Sequence, residues 1–213
     1  MAGIGNPEAG VSLREARLGP AAATTMNDTP ESSSLEIAVA LHDTAWSDAL
    51  DDLENRARAA VRRTLTHVMP DNEGPLEISL VFTDDSEQRL LNRDYRDNDR
   101  ATNVLSFPNM DDHDRDDRAG PEASGQPRLL GDVVLARETV AREAQAQGKS
   151  LADHTSHLLV HGLLHLLGYD HQDNAEAEEM EALETRILAE MGIADPYRAE
   201  AERASGPRGA THG

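Results

Sequence analysis

Polar and apolar residues alternate through LEIAVAL, residues 35–41, and again through LEISLVF, residues 76–82. A period of two predicts strands at both places. Between them, the apolar positions of residues 46–69 recur every three to four residues and predict a helix stopped by Pro70. Thr83 or Asp84 can cap the next helix, whose first turn is acidic and which runs to about Arg96. TNVLSF (102–107) and LGDVVLA (130–136) predict two further strands. RETVAREAQAQ reads as a helix closed by Gly148, and two more helices are expected over about 150–168 and 173–191. Strands come early and helices late. The pattern therefore predicts an α+β fold, a single domain in which helices pack a small mixed sheet of about four strands.

The same pattern marks what lies outside the domain. Residues 1–34 are rich in Ala, Gly, Pro, Ser and Thr without a period and are expected to be a disordered extension, with Met26 a candidate start. Residues 110–128 are charged and aperiodic and read as a mobile acidic loop; residues 193–213 read as a disordered tail. The domain is expected to span 35–192.

Composition narrows the chemistry. The 213 residues include no cysteine, so disulfides, thiolate metal sites and cysteine nucleophiles are all excluded. Any metal must be held by nitrogen and oxygen. No basic start followed by an apolar run is present, and no apolar stretch approaches the ~18 residues of a membrane span, so a cytoplasmic protein is expected. The formal net charge of −20 argues against a generic nucleic-acid binder. The acidity belongs to the domain itself: residues 35–109 carry 15 acids against 8 bases, and residues 129–192 carry 12 against 4.

Against this background, HLLVHGLLHLLGYDH (157–171) holds four of the nine histidines. Residues four apart share one helix face, so His157, His161 and His165 form a line. Two imidazoles at i and i+4 can grip one ion from one side. A third ligand must come from where the chain leaves the helix. Gly168 can take the left-handed conformation that ends a helix, which brings His171 back toward His161 and His165. Those three are the candidate metal ligands, with an open fourth position of the catalytic kind; His157 reads as a supporting residue. The spacing H-x-x-x-H-x-x-G-x-x-H matches a zinc peptidase pattern except that Gly162 stands where the glutamate base would be.

HGLLHLLGYDH, YRDNDRATNVLSFP and LGDVVLA together resemble the YbeY family of bacterial rRNA maturation factors, over about residues 35–192. The resemblance implies an α+β fold, a metal-dependent endoribonuclease activity on single-stranded RNA, and a zinc-type site at His161, His165 and His171. Nitrogen ligands also suit nickel or another divalent transition metal. It further implies a catalytic role for Arg96, which stands ahead of the TNVLSF strand. An arginine can hold a phosphate by two parallel hydrogen bonds and stabilise charge developing at phosphorus. The plainer alternative is a surface arginine paired with Asp94, Asp97 or Asp99. Arg89, Arg93, Arg96 and Arg100 share a helical face, either a guide for a phosphate backbone or a salt-bridged surface. Implied partners are 16S rRNA, the small ribosomal subunit and a ribosome-assembly GTPase. The 110–128 segment and the N-terminal extension depart from the family pattern.

Other readings stay open at this level. The proton acceptor can be Asp170, Asp132 or a metal-bound hydroxide, and the ribose 2′-OH can serve as nucleophile. A non-enzymatic assembly factor with a structural metal, or a different metal hydrolase, would use the same scaffold.

Overall fold

The computed structural model describes residues 35–70, 74–109, 127–170 and 173–198. The expected N-terminal extension, nearly all of the 110–128 loop and His171 lie outside these residues. In chain order the elements are β1 (Leu35–Leu41), α1 (Ala45–Ala49), α2 (Leu53–Val68), β2 (Leu76–Thr83), α3 (Asp85–Arg96), β3 (Val104–Pro108), β4 (Arg128–Ala136), α4 (Arg137–Gln147), α5 (Leu151–Leu166) and α6 (Asn174–Glu190).

The four strands form one mixed sheet in the order β1-β2-β4-β3. β1, β2 and β4 run parallel, with Ile37 opposite Ile78 and Leu80 opposite Val133, and β3 lies antiparallel on the edge with Ser106 opposite Val133. The fold is thus the α+β single domain that the periodicity predicts. An antiparallel edge strand on a mainly parallel sheet is a common solution. Among the described residues, β3 has β4 as its one strand neighbour.

One predicted helix is broken. Residues 46–69 form two helices rather than one, because Leu50 is extended (φ −142°) and Asp52 is left-handed (φ 59°). Aspartate tolerates that conformation better than most residues. The break turns α1 so that fully buried Trp46 packs edge-on against Phe82 at 5.3 Å, and its indole N–H donates to the Thr83 carbonyl at 2.9 Å. An unbroken helix would carry the indole away from the strand end.

The sheet's two faces are unequal. Ile37, Val39, Ile78, Leu80, Val133 and Leu135 join the main core with α2, α5 and α6. The opposite face makes a small second cluster of Ala40, Val81, Leu105 and Val134 with Leu91 of α3. Helix α5 runs through the centre of the main core, with Leu158, Leu159, Val160, Leu163 and Leu164 all buried. That explains a helix apolar on most sides. Its partly exposed margin is the line of His157, His161 and His165.

Candidate metal centre

Helix α5 is fixed at both ends by local chemistry. Ser150 caps its start, accepting the Asp153 N–H at 3.0 Å. Its end is a Schellman turn: Tyr169 N–H donates to Leu164 O at 3.0 Å and Gly168 N–H to His165 O at 3.2 Å. Gly168, at φ +90°, sits in the position of the turn that favours glycine. The turn swings the Tyr169 carbonyl under His165, whose Nδ1 lies 3.0 Å from it. A carbonyl can only accept, so Nδ1 carries the proton and Nε2 is left with a lone pair.

His161 is oriented in the same sense by a different group. Its Nδ1 lies 2.8 Å from Oε1 of Glu184, a carboxylate on α6. Burial pushes the Glu184 carboxyl up, but hydrogen bonds from His157 and His161 more than reverse that and hold it down to about 2. As an ionised acceptor it receives a hydrogen bond from His161 Nδ1–H, which leaves the lone pair on Nε2.

The two Nε2 atoms stand 3.1 Å apart. With Nδ1 protonated on both rings, the contact sets lone pair against lone pair, an arrangement that a cation between them would relieve. Two nitrogens binding one tetrahedral ion at ~2.0–2.1 Å would be ~3.3 Å apart, so the pair fits a metal with little adjustment. Both donor identity and outer support match a nitrogen-ligated divalent transition ion. Among the described residues no third ligand completes the set.

The other described histidines have carboxylate partners. His42 pairs with Glu87, His67 with Glu190, and buried His154 with Glu143, which also accepts from Asn103. His157 serves the centre indirectly, through a 2.8 Å contact with Glu184 Oε2.

Gly162 answers the question of the missing glutamate. A Cβ there would lie 2.9 Å from Val133 Cγ1, 3.0 Å from Ser106 Oγ and 3.2 Å from Val104 Cγ2. The position faces the sheet, and α5 lies so close to β3 and β4 that even a methyl group would force a neighbouring side chain to shift. Gly162→Ala gains about 1 kcal/mol of helix propensity and loses about 1–3 kcal/mol to overpacking against stiff valines. Gly162→Glu adds a buried carboxylate with no partner. In thermal melts the alanine variant is expected to fall by a few degrees at most, and the glutamate variant to melt far lower without gaining peptidase activity.

Ser106 joins this contact to Arg96. Its hydroxyl donates to Gly162 O at 2.9 Å, and its carbonyl accepts from Arg96 Nη2 at 3.0 Å. The last residue of α3 is thereby held at β3, beside the strand that supports the histidine helix. The acids that sequence offered as its partners are otherwise engaged: Arg89 takes Asp99 in a two-pronged bridge at 2.7 and 2.8 Å, and Arg93 takes Asp94 at 2.8 Å. Asp97 caps α3 in a left-handed conformation. Half of the arginine stripe, Arg89 and Arg93, is therefore a salt-bridged surface, while Arg100 donates to Asn98 Oδ1 at 3.3 Å and exposed Arg96 to the Ser106 carbonyl. Asp132 is a poor proton acceptor for this centre. Val133 faces α5, so its neighbour Asp132 points to the opposite side of the sheet.

Sequence reasoning missed Glu184. It is one of several acids in α6, but Met180, Ile187 and Leu188 share its buried stripe at spacings of four, three and four. A lone acid on an apolar stripe was the available signal.

Fold and site together describe an α+β domain with two converging imidazoles at the end of its central helix, suited to a divalent transition metal. The model of the family Endoribonuclease YbeY matches residues 40–192, and the chain belongs to that family. The Endoribonuclease YbeY of Paramagnetospirillum magneticum is 53% identical over 165 residues, covering 77% of this chain and 96% of that protein. Those of Agrobacterium fabrum and Azorhizobium caulinodans are 47% and 48% identical, covering 78% and 79% of this chain and 96% and 99% of theirs. The solution structure of a Thermotoga maritima protein aligns with 82% of this chain at 20% identity and a TM-score of 0.48.

Proposed function

We propose that the protein is a single-strand-specific, metal-dependent endoribonuclease acting in 16S rRNA 3′-end maturation and ribosome quality control. The observation that carries this reading is the convergence of His161 and His165 through Nε2, with Arg96 tied through Ser106 to the same helix. Membership of a family named for endoribonuclease activity supports the reaction class.

His161, His165 and His171 would hold one zinc ion, or nickel or another divalent transition metal. Such an ion supplies Lewis acidity toward a phosphate oxygen and lowers the pKa of a bound water. The chain's own residues do the rest. Arg96 presents its exposed guanidinium to the scissile phosphate while one N–H anchors it to β3. Gly162 contributes no base, which separates this chemistry from peptide hydrolysis. Of the carboxylates considered from sequence, Asp170 stands next to the Gly168 turn and is the remaining candidate for proton transfer.

The substrate is single-stranded RNA, and the acidic domain makes nonspecific RNA affinity weak. Delivery by the small ribosomal subunit, with a ribosome-assembly GTPase, would supply the missing affinity. No helix among the described residues is long and apolar enough to cross a membrane, and a cytoplasmic site of action follows from the substrate.

The test is cleavage of a 3′-extended 16S rRNA fragment, single-stranded or annealed to a complement, by metal-analysed protein. Cleavage of the single strand alone, abolished by chelation and restored by metal, is expected. A fully metal-loaded protein that leaves both intact, even with the small subunit added, would favour an assembly factor with a structural metal.

A further inference from the structure

We propose that Tyr197, from the segment that follows α6, and His157 together fix the Glu184 carboxylate against His161, so that this segment is a working part of the metal centre. The proposal rests on the reading of His161 as a metal ligand. Tyr197 and Glu184 are positioning residues in it.

Glu184 is fully buried. A buried carboxylate is costly unless its lone pairs are taken up. Its two oxygens divide the task. Among the described residues, Oε1 accepts from His161 Nδ1, at 2.8 Å. Oε2 accepts from His157 Nε2 at 2.8 Å and from the Tyr197 hydroxyl. Two donors therefore hold one oxygen and fix the plane of the carboxylate, which leaves the other aimed at the ligand ring.

The tyrosine is itself held. Its backbone N–H donates to Asp195 Oδ1 at 2.9 Å, the same oxygen that Thr185 of α6 approaches at 3.4 Å. Pro196 between them is buried. The Tyr197 ring stands edge-on to His157, 5.5 Å between centroids at 87°. The sequence reads this region as tail, yet it reaches back across α6 to the deepest acid of the site. It also lies beyond residue 192, where the family model ends.

Chemistry makes the arrangement specific for glutamate. A glutamine at 184 has one acceptor oxygen and one amino donor. It cannot accept from both His161 Nδ1 and His157 Nε2, so one ring must change tautomer or lose its partner. If His161 yields, its Nε2 no longer presents a lone pair to the metal.

The experiment measures zinc affinity by competition with a chromophoric chelator, and the His161 tautomer of metal-free protein by long-range ¹H–¹⁵N correlation. Wild-type His161 should carry its proton on Nδ1. Glu184→Gln should weaken zinc ~10–100-fold, the usual range for an outer partner of a ligand histidine, and alter the imidazole pattern. Tyr197→Phe, which keeps the ring, should weaken zinc by several-fold, and truncation after Gly192 by at least as much. Tyr197→Phe also keeps the proposal testable should Glu184→Gln fail to fold. A purely structural contact would lower the melting temperature and leave affinity and tautomer unchanged, and that result would overturn the proposal. Full zinc affinity in His161→Ala would instead remove the ligand assignment beneath it, and the proposal with it.

Discussion

His165→Ala is expected to yield a protein that purifies with little bound metal and cleaves RNA no faster than the chelated wild type. The histidine has two jobs on its two nitrogens. Nε2 faces His161 Nε2 at 3.1 Å, and Nδ1 faces the Tyr169 carbonyl at 3.0 Å. Alanine removes a metal donor outright, so the loss of affinity should exceed the ~10–100-fold typical of an outer-shell partner. It also leaves the Tyr169 carbonyl without its imidazole, at a cost of about 1 kcal/mol. Elemental analysis and a thermal melt of metal-free protein separate the two effects. Metal content equal to wild type would remove His165 from the ligand set.

Arg96→Ala should behave in the opposite way. The side chain is exposed and, among the described residues, makes one hydrogen bond, to the Ser106 carbonyl, so stability and metal content should stay close to wild type. Cleavage should fall by ~10²–10³-fold, the scale seen when one donor to a developing anion is lost. Arg96→Lys restores the charge without the planar fork and should recover only part of the rate. The split between intact metal binding and lost turnover is the signature of a phosphate clamp. Wild-type cleavage by Arg96→Ala would leave it as a surface residue.

Most of the architecture was legible because its elements have a clear period. The strands at 35–41, 76–82 and 130–136 and the cap at Asp84, which accepts the Glu87 N–H at 2.9 Å, were all visible in sequence. The break between α1 and α2 was not. Trp46, Leu50, Leu53 and Ala57 keep helical spacing straight through it, and one left-handed aspartate leaves no mark on a hydrophobic pattern. At the site, the i,i+4 pair and the glycine turn could be read because both belong to one helix and its end. Glu184 and Tyr197 reach His161 and His157 only through the packing of α6 on α5, a tertiary fact that spacing along one segment does not hold. The role of Gly162 was half-read: sequence showed that the base was absent, and only the approach of β3 and β4 shows how tightly the position is packed.

The two imidazoles of the pair are steered by different kinds of atom, and this sets how each can fail. His165 is aimed by a main-chain oxygen, which every amino acid at position 169 would supply as long as the Gly168 turn forms. His161 is aimed by a side chain that one nucleotide change can remove. Over generations of drift, position 169 can change its identity without disturbing the ligand beside it. Position 184 has no such latitude. The same centre thus joins a half that is buffered against mutation to a half that is not.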